Sequence, residues 1–299
     1  LASADIEAIG SHGQTVRHRP GEFDGLGYTV QLDNPGLLAE LTGINVVADF
    51  RRQDVAAGGQ GAPLVPAFHR AVFGRSDRDL AVLNIGGISN LTVLPSSENV
   101  TGFDCGPGNI LLDAWCEEHT GHAFDSGGEW GARGQVDAFL LGTLLSDPYF
   151  SAQPPKSTGR DRFNRGWLDL ALKSLHKQLL DVDVQATLCE LTVQACAMHV
   201  VRYAPRSTEL VVCGGGALNA DLMHRLCLAL PNVQVVSSGL HGVAPTQVEA
   251  AAFAWLARAY ALGFPGNLPE CTGANGPRVL GGLYRAHPGR DWLLARGGN

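Results

Sequence analysis

The run Gly102-Phe103-Asp104-Cys105-Gly106-Pro107-Gly108-Asn109 constrains this 299-residue chain more than any other stretch. It reads as a strand over 100–104 ending in one carboxylate, a Gly/Pro turn, and a helix over 110–119 closed by Gly121. A carboxylate at a strand end beside open backbone amides suits proton acceptance while an anion rests on those amides. The plainer reading is that Asp104 caps the turn that follows it. Two more glycine turns extend the pattern. Asn84-Ile85-Gly86-Gly87-Ile88-Ser89-Asn90 joins two apolar runs, and Val211-Val212-Cys213-Gly214-Gly215-Gly216 leads from a strand into a helix. Each is either a steric necessity of the turn or a place where amides meet phosphate oxygens. Three such turns around one acid suggest phosphate chemistry on a sugar-like substrate.

The order of elements points to an α/β protein. Short strands at 6–10 and 28–32, a helix at 35–43 with Pro at its start and Gly at its end, and an apolar strand at 44–50 come first. A charged turn, Arg75-Ser76-Asp77-Arg78-Asp79, is the expected domain boundary, giving domains 1–78 and 79–299, with the last residues able to pack back on the first. Three antiparallel strands at 80–85, 90–94 and 100–104 follow. Helices at 136–145, 168–180, 186–203, 221–230 and 246–262 then alternate with strands at 209–213 and 233–236. Strands first, then strands alternating with helices, fit mixed sheets faced by helices.

Composition excludes several classes. The chain is 45% hydrophobic and 17% charged, as globular proteins are, and its net charge of -7 argues against nucleic acid as a partner. Seven cysteines at irregular spacing form neither a disulfide framework nor a zinc site, and no metal-ligating residues are expected. No continuous apolar run reaches about 18 residues, and the first residues do not read as a signal peptide, so a cytoplasmic protein without a membrane span is expected.

Polar clusters supply the remaining candidates. Ser11-His12-Gly13-Gln14-Thr15 gathers neutral hydrogen-bonding groups of the kind that read sugars. Arg51 and Arg52 either hold an anion or pair with nearby acids. Gln60 lies in the loop Gly58-Gly59-Gln60-Gly61. The loop Pro154-Pro155-Lys156-Ser157-Thr158-Gly159-Arg160 offers two cations to a carboxylate or phosphate, or is a solvated surface loop.

Taken together, 9–18, 49–69, 84–92, 102–113, 149–164, 214–219 and 249–257 resemble the anhydro-N-acetylmuramic acid kinases of bacterial cell-wall sugar recycling. The resemblance implies an actin/hexokinase-like fold of two ribonuclease-H-like domains with a central cleft, the first incomplete at its start. It implies use of ATP and Mg²⁺, phosphorylation of O6, and opening of the 1,6-anhydro bridge by water at C1. By that resemblance Asp104 is the general base. Gly86, Gly87, Gly106, Gly108 and Asn109 lie near the phosphates, and Gly214, Gly215 and Gly216 near the adenosine. His12, Gln14, Arg52, Gln60, Lys156 and Arg160 are the expected sugar-binding residues, and a homodimer is expected. Cys105 stands where such kinases should carry Thr, and Thr246 where an acidic residue is usual. The chain starts after the point where a phosphate-gripping hairpin should be, so poor ATP binding and an unpaired sheet edge are expected. The alternative reading is a non-catalytic sugar-binding or regulatory module.

Overall fold

The computed structural model describes residues 5–97 and 99–286. Among them are ten strands: β1 (Ala8–Gly10), β2 (Gln14–Pro20), β3 (Gly27–Leu32), β4 (Asn45–Ala48), β5 (Leu80–Ile85), β6 (Ile88–Leu94), β7 (Thr101–Pro107), β8 (Glu209–Cys213), β9 (Gln234–Ser237) and β10 (Gly282–Tyr284). The chain divides into two compact units. One takes residues up to Val72 and from Glu249 onward, and the other is Phe73–Val248. The first division falls at the end of the Val65–Phe73 helix, just before the expected boundary at 78/79. The second differs more from expectation, because everything described from Glu249 onward groups with the first unit. Packing gives the reason. Phe253, Leu256 and Ala257 share one buried cluster with Val47, Phe50 and Leu64. The expected return of the last residues lies partly at 287–299, outside the described residues.

In the first unit β4 is central, parallel to β1 (Ile9 opposite Val46) and antiparallel to β10 (Leu283 opposite Val47). All four β4 residues are buried. β2 and β3 form a separate antiparallel ribbon. β2 is not among the strands expected from sequence, because Arg17, His18 and Arg19 leave no apolar alternation to detect. The Pro35–Thr42 helix is locally encoded. Asn34 caps the Leu37 amide at 3.0 Å, Pro35 takes the first turn, and Gly43 ends it at φ 66°.

The second unit carries a five-stranded sheet in the order β7-β6-β5-β8-β9. β5, β6 and β7 form an antiparallel meander, while β8 is parallel to β5 and β9 to β8. That is ribonuclease-H-like topology, as the resemblance implied. The Asp181–Tyr203 helix packs across it, with Leu188, Leu191, Val193 and Cys196 buried against the sheet cluster. Burying each Leu or Val contributes roughly 1.5–3 kcal/mol. This helix is long and apolar enough to cross a membrane, but 78% of its apolar window is buried inside the protein, as in a core helix. It starts earlier than expected, with Asp181 and Asp183 in its first turn where the dipole favours acids. The expected 168–180 helix is instead Arg165–Lys173, its start set by Asn164, which accepts from the Trp167 amide.

Candidate active site

β7 is an edge strand of its sheet, and its bulge sits at the acid. Asn90 lies opposite Asp104 but Ser89 opposite Gly106, which leaves Cys105 as the extra residue. Bulges bend a strand and re-aim its side chains. Phe103 and Cys105 turn into the core while Asp104 is half-buried. The free side of β7 is then covered by the segment from Tyr149 to Thr158. Asp104 N donates to Lys156 O at 3.1 Å, and Tyr149 Oη donates to Asp104 O at 2.9 Å. Thr158 N donates to Asp104 Oδ2 at 2.9 Å. One carboxylate oxygen is therefore held by a backbone amide, a contact that favours the charged form.

The Lys156 side chain is half-buried against Tyr149 and His199. Its Nζ lies 2.9 Å from Tyr149 O and 2.8 Å from His199 Nε2, over the Tyr149 ring at 4.5 Å. Burial lowers its pKa. The aromatic faces of Tyr149 and Phe103 and two acceptors attract the ammonium of this expected sugar-binding residue. Arg160 in the same loop is exposed.

The glycine turns separate into two kinds. A Cβ on Gly108 would come 2.3 Å from Gly86 O, and one on Gly216 2.3 Å from the Ile85 side chain. On Gly106 it would meet the Phe150 ring at 2.7 Å, and on Gly214 Asn84 Oδ1 at 2.5 Å. Close packing accounts for these four. It does not account for Gly86, Gly87 or Gly215, where the nearest atoms would be 3.6, 3.8 and 3.4 Å away. The amides of Gly108, Asn109 and Ile110 donate to the Gly86 and Gly87 carbonyls at 2.8–3.1 Å. The expected amide cradle at 106–109 is thus closed by the neighbouring turn. Thr192 Oγ1, buried in the long helix, adds bonds to the Pro107 and Gly108 carbonyls.

Beside this turn opens a cavity of about 250 Å³, lined by Asn109, Leu112, Asp113, Phe124, Asp125, Gly127, Gly215, Leu218 and Asn219. Asn109 and Asp113 share one face of the Ile110–Thr120 helix start, four residues apart. Phe124 and Leu218 are each 60% exposed and give it apolar walls. Asp125 is occupied by the Trp130 and Gly131 amides, and Asn219 caps Leu222. Burial raises the Asp113 carboxyl to about 6. Asp113, Phe124 and Leu218 were missed from sequence. The available signal was the Asn109-to-Asp113 spacing.

The other expected sugar-binding residues belong to the first unit. His12 Nε2 accepts from Arg51 Nε at 2.9 Å, and Arg51 Nη1 donates to Gly61 O at 2.6 Å. Burial, then the Arg51 charge, lowers His12 to about 4. Gln60 is tied through its backbone to Thr272 O at 2.7 Å. Gln14 is exposed on β2. Arg52 pairs with Asp49 at 3.4 Å and lines a separate cavity of about 390 Å³ with Tyr28, Thr29 and Val55. Arg51, not Arg52, is the arginine joined to His12.

The family profile of anhydro-N-acetylmuramic acid kinase matches residues 1–286. This chain belongs to that family. An anhydro-N-acetylmuramic acid kinase of Variovorax paradoxus is 59% identical over 289 residues, 95% of this chain and 77% of that protein. Those of Cupriavidus metallidurans and Pseudomonas putida are 57% and 53% identical, covering 93% and 94% of this chain and 74% and 76% of theirs. Among solved structures, an activator of 2-hydroxyisocaproyl-CoA dehydratase from Clostridium difficile with bound ADPNP is similar at 14% identity and a TM-score of 0.43, over 66% of this chain and 68% of that one. In this member of the kinase family the thiol beside the acid is fully buried. Burial pushes Cys105 up, and its hydrogen bond goes to Cys196 in the long helix.

Proposed function

We propose that the protein phosphorylates 1,6-anhydro-N-acetylmuramic acid at O6 with ATP while water opens the anhydro ring, giving N-acetylmuramic acid 6-phosphate and ADP. Asp104 takes a proton from the water that attacks C1. The C1–O6 bond breaks, O6 bonds to the γ-phosphorus, and ADP leaves. Family membership supports the reaction. The observation that carries the assignment of Asp104 is a half-buried carboxylate held on one oxygen by the Thr158 amide. Geometry comes before pKa in choosing a base, and this one is fixed in place.

Gly86, Gly87 and Gly215, the glycines that packing does not demand, are proposed to face the nucleotide with Asn109. The cavity walled by Phe124 and Leu218 takes the nucleoside, and Asp113 accepts from its ribose hydroxyls. Mg²⁺ enters on the phosphates as part of the MgATP substrate, in keeping with its preference for phosphate oxygens and water. Arg160, exposed, is proposed to bind the sugar from the second unit, and His12, Gln14, Arg52 and Gln60 are proposed as the sugar-binding residues of the first unit. A role in peptidoglycan recycling, a cytoplasmic location and a homodimer complete the reading.

The test is product analysis in ¹⁸O-water. The 6-phosphate should carry one ¹⁸O at C1, and Asp104→Asn should lose activity by roughly a hundredfold or more while keeping its fold. Product without label, or a fully active Asp104→Asn, would overturn the assignment.

A further inference from the structure

We propose that half-buried Lys156 and buried His199 form a peg that holds the 156–158 backbone against β7 and thereby positions the Asp104 carboxylate. Both are positioning residues, and the inference rests on reading Asp104 as the base.

The backbone of this loop makes two of the contacts that fix Asp104: Lys156 O accepts from Asp104 N, and Thr158 N donates to Oδ2. Something must hold so polar a loop on an edge strand, and the half-buried Lys156 side chain reaches from it to Tyr149, Phe103 and His199. Its ammonium meets His199 Nε2 at 2.8 Å and Tyr149 O at 2.9 Å. That arrangement requires a neutral histidine of one tautomer. His199 Nδ1 is within hydrogen-bond distance of Ala195 O, one turn back on its own helix, and must carry the proton there. Nε2 then presents a lone pair to Lys156. Burial, with the Lys156 and Arg202 charges, keeps the ring neutral by lowering its pKa to about 4. His199 is 2% exposed, with its ring 5.5 Å from Phe103 and 6.1 Å from Tyr203. The charged and titratable groups around Lys156 within this unit are Asp104 and Cys105 on β7, Tyr149, and His199 and Arg202 on the long helix. Those around Asp104 include Tyr149, Cys105 and Lys156. A cation serving only the substrate would need none of this.

The experiment compares kcat, both KM values and the pH dependence of kcat for the full-length protein and its Lys156→Met, His199→Phe and His199→Gln variants. Thermal melts run alongside. His199→Phe keeps the Lys156 charge but removes its acceptor, and the aromatic surroundings accommodate the ring. His199→Gln restores an acceptor oxygen. Expected for Lys156→Met and His199→Phe is a fall in kcat of roughly tenfold, as for loss of one charge-assisted hydrogen bond, with the KM for ATP little changed. The acidic limb of the kcat profile should move up by about half a unit or more, because the amide no longer favours the ionised carboxylate. His199→Gln should recover part of both effects. If Lys156→Met does not fold, the two His199 variants decide the matter. A rise in sugar KM with kcat and its pH profile unchanged overturns the inference by placing Lys156 on the substrate. So does an unmoved profile in His199→Phe. If the unaltered protein makes no 6-phosphate, the functional reading itself fails and takes this inference with it.

Discussion

Asp113→Asn should stabilise the protein above neutral pH and lose that advantage in acid. The Asp113 carboxyl stands at about 6 against an ordinary 3.8, raised by burial alone even though it lies in a helix's first turn. The helix dipole would favour its charge, so desolvation outweighs it. Each unit corresponds to 1.36 kcal/mol, giving about 3 kcal/mol if fully credited. Asp113 is only half-buried, and solvent screening reduces the figure to about 1 kcal/mol. The native state keeps this proton where the unfolded chain has already lost it. Stability from this group is therefore present below 3.8 and lost as pH rises through about 6. Histidines act oppositely: burial lowers His12 and His199 to about 4 and His69 to about 3, so acidification below 6.5 destabilises through them. Only the difference between variant and parent isolates Asp113. Thermal midpoints at constant ionic strength should show Asp113→Asn higher by roughly 2–4 °C at about pH 8, the gap closing near pH 4. A gap that is flat with pH, or a parent that melts higher at pH 8, would refute desolvation as the cause.

Two further substitution sets test packing against function. Gly108→Ala would press a methyl group into Gly86 O and should cost about 1–3 kcal/mol of stability by calorimetry. Gly87→Ala has nothing nearer than 3.8 Å and should melt like the parent, while the KM for ATP rises by roughly tenfold if its amide meets phosphate. In the first unit, Asp54 is fully buried and accepts from Gly61 N, Asn267 Nδ2 and Thr272 Oγ1. Asp54→Ala strands three donors and should lower stability by about 3 kcal/mol or more in urea, and Asp54→Asn by less.

What could be read from sequence was whatever is encoded within a few residues. β5 and β8 announce themselves through the apolar runs 80–83 and 210–213, and Asn34, Pro35 and Gly43 bracket a helix by local capping chemistry. The same holds for the turn after Asp104, whose glycines stand out in the sequence. The individual reasons for such glycines were not legible, because what Gly108 would strike lies in the turn at Gly86, and what Gly216 would strike lies on β5. Lys156 shows the limit most clearly. Nothing near it in sequence says that its ammonium will find His199, 43 positions later. Asp113 was hidden for a related reason: a helix acid looks solvated until the Phe124 and Leu218 segments are placed around it.

Asp104 sits on an edge strand, and that location explains its dependence on distant residues. An interior strand has both backbone sides satisfied by neighbours, whereas an edge must be covered some other way. Here the 149–158 segment both satisfies the Asp104 N–H and C=O on β7 and reaches the carboxylate. Tyr149 anchors one end of that cover, donating to Asp104 O while its ring meets Phe150 and Phe163 at 6.2 and 5.5 Å. Burial raises its phenol far above the working range, so it remains a donor throughout. Lys156 anchors the other end through His199. Any change that loosens either anchor uncovers the strand and releases the acid together, which is why mutations in this aromatic cluster should fall on kcat before they fall on nucleotide affinity.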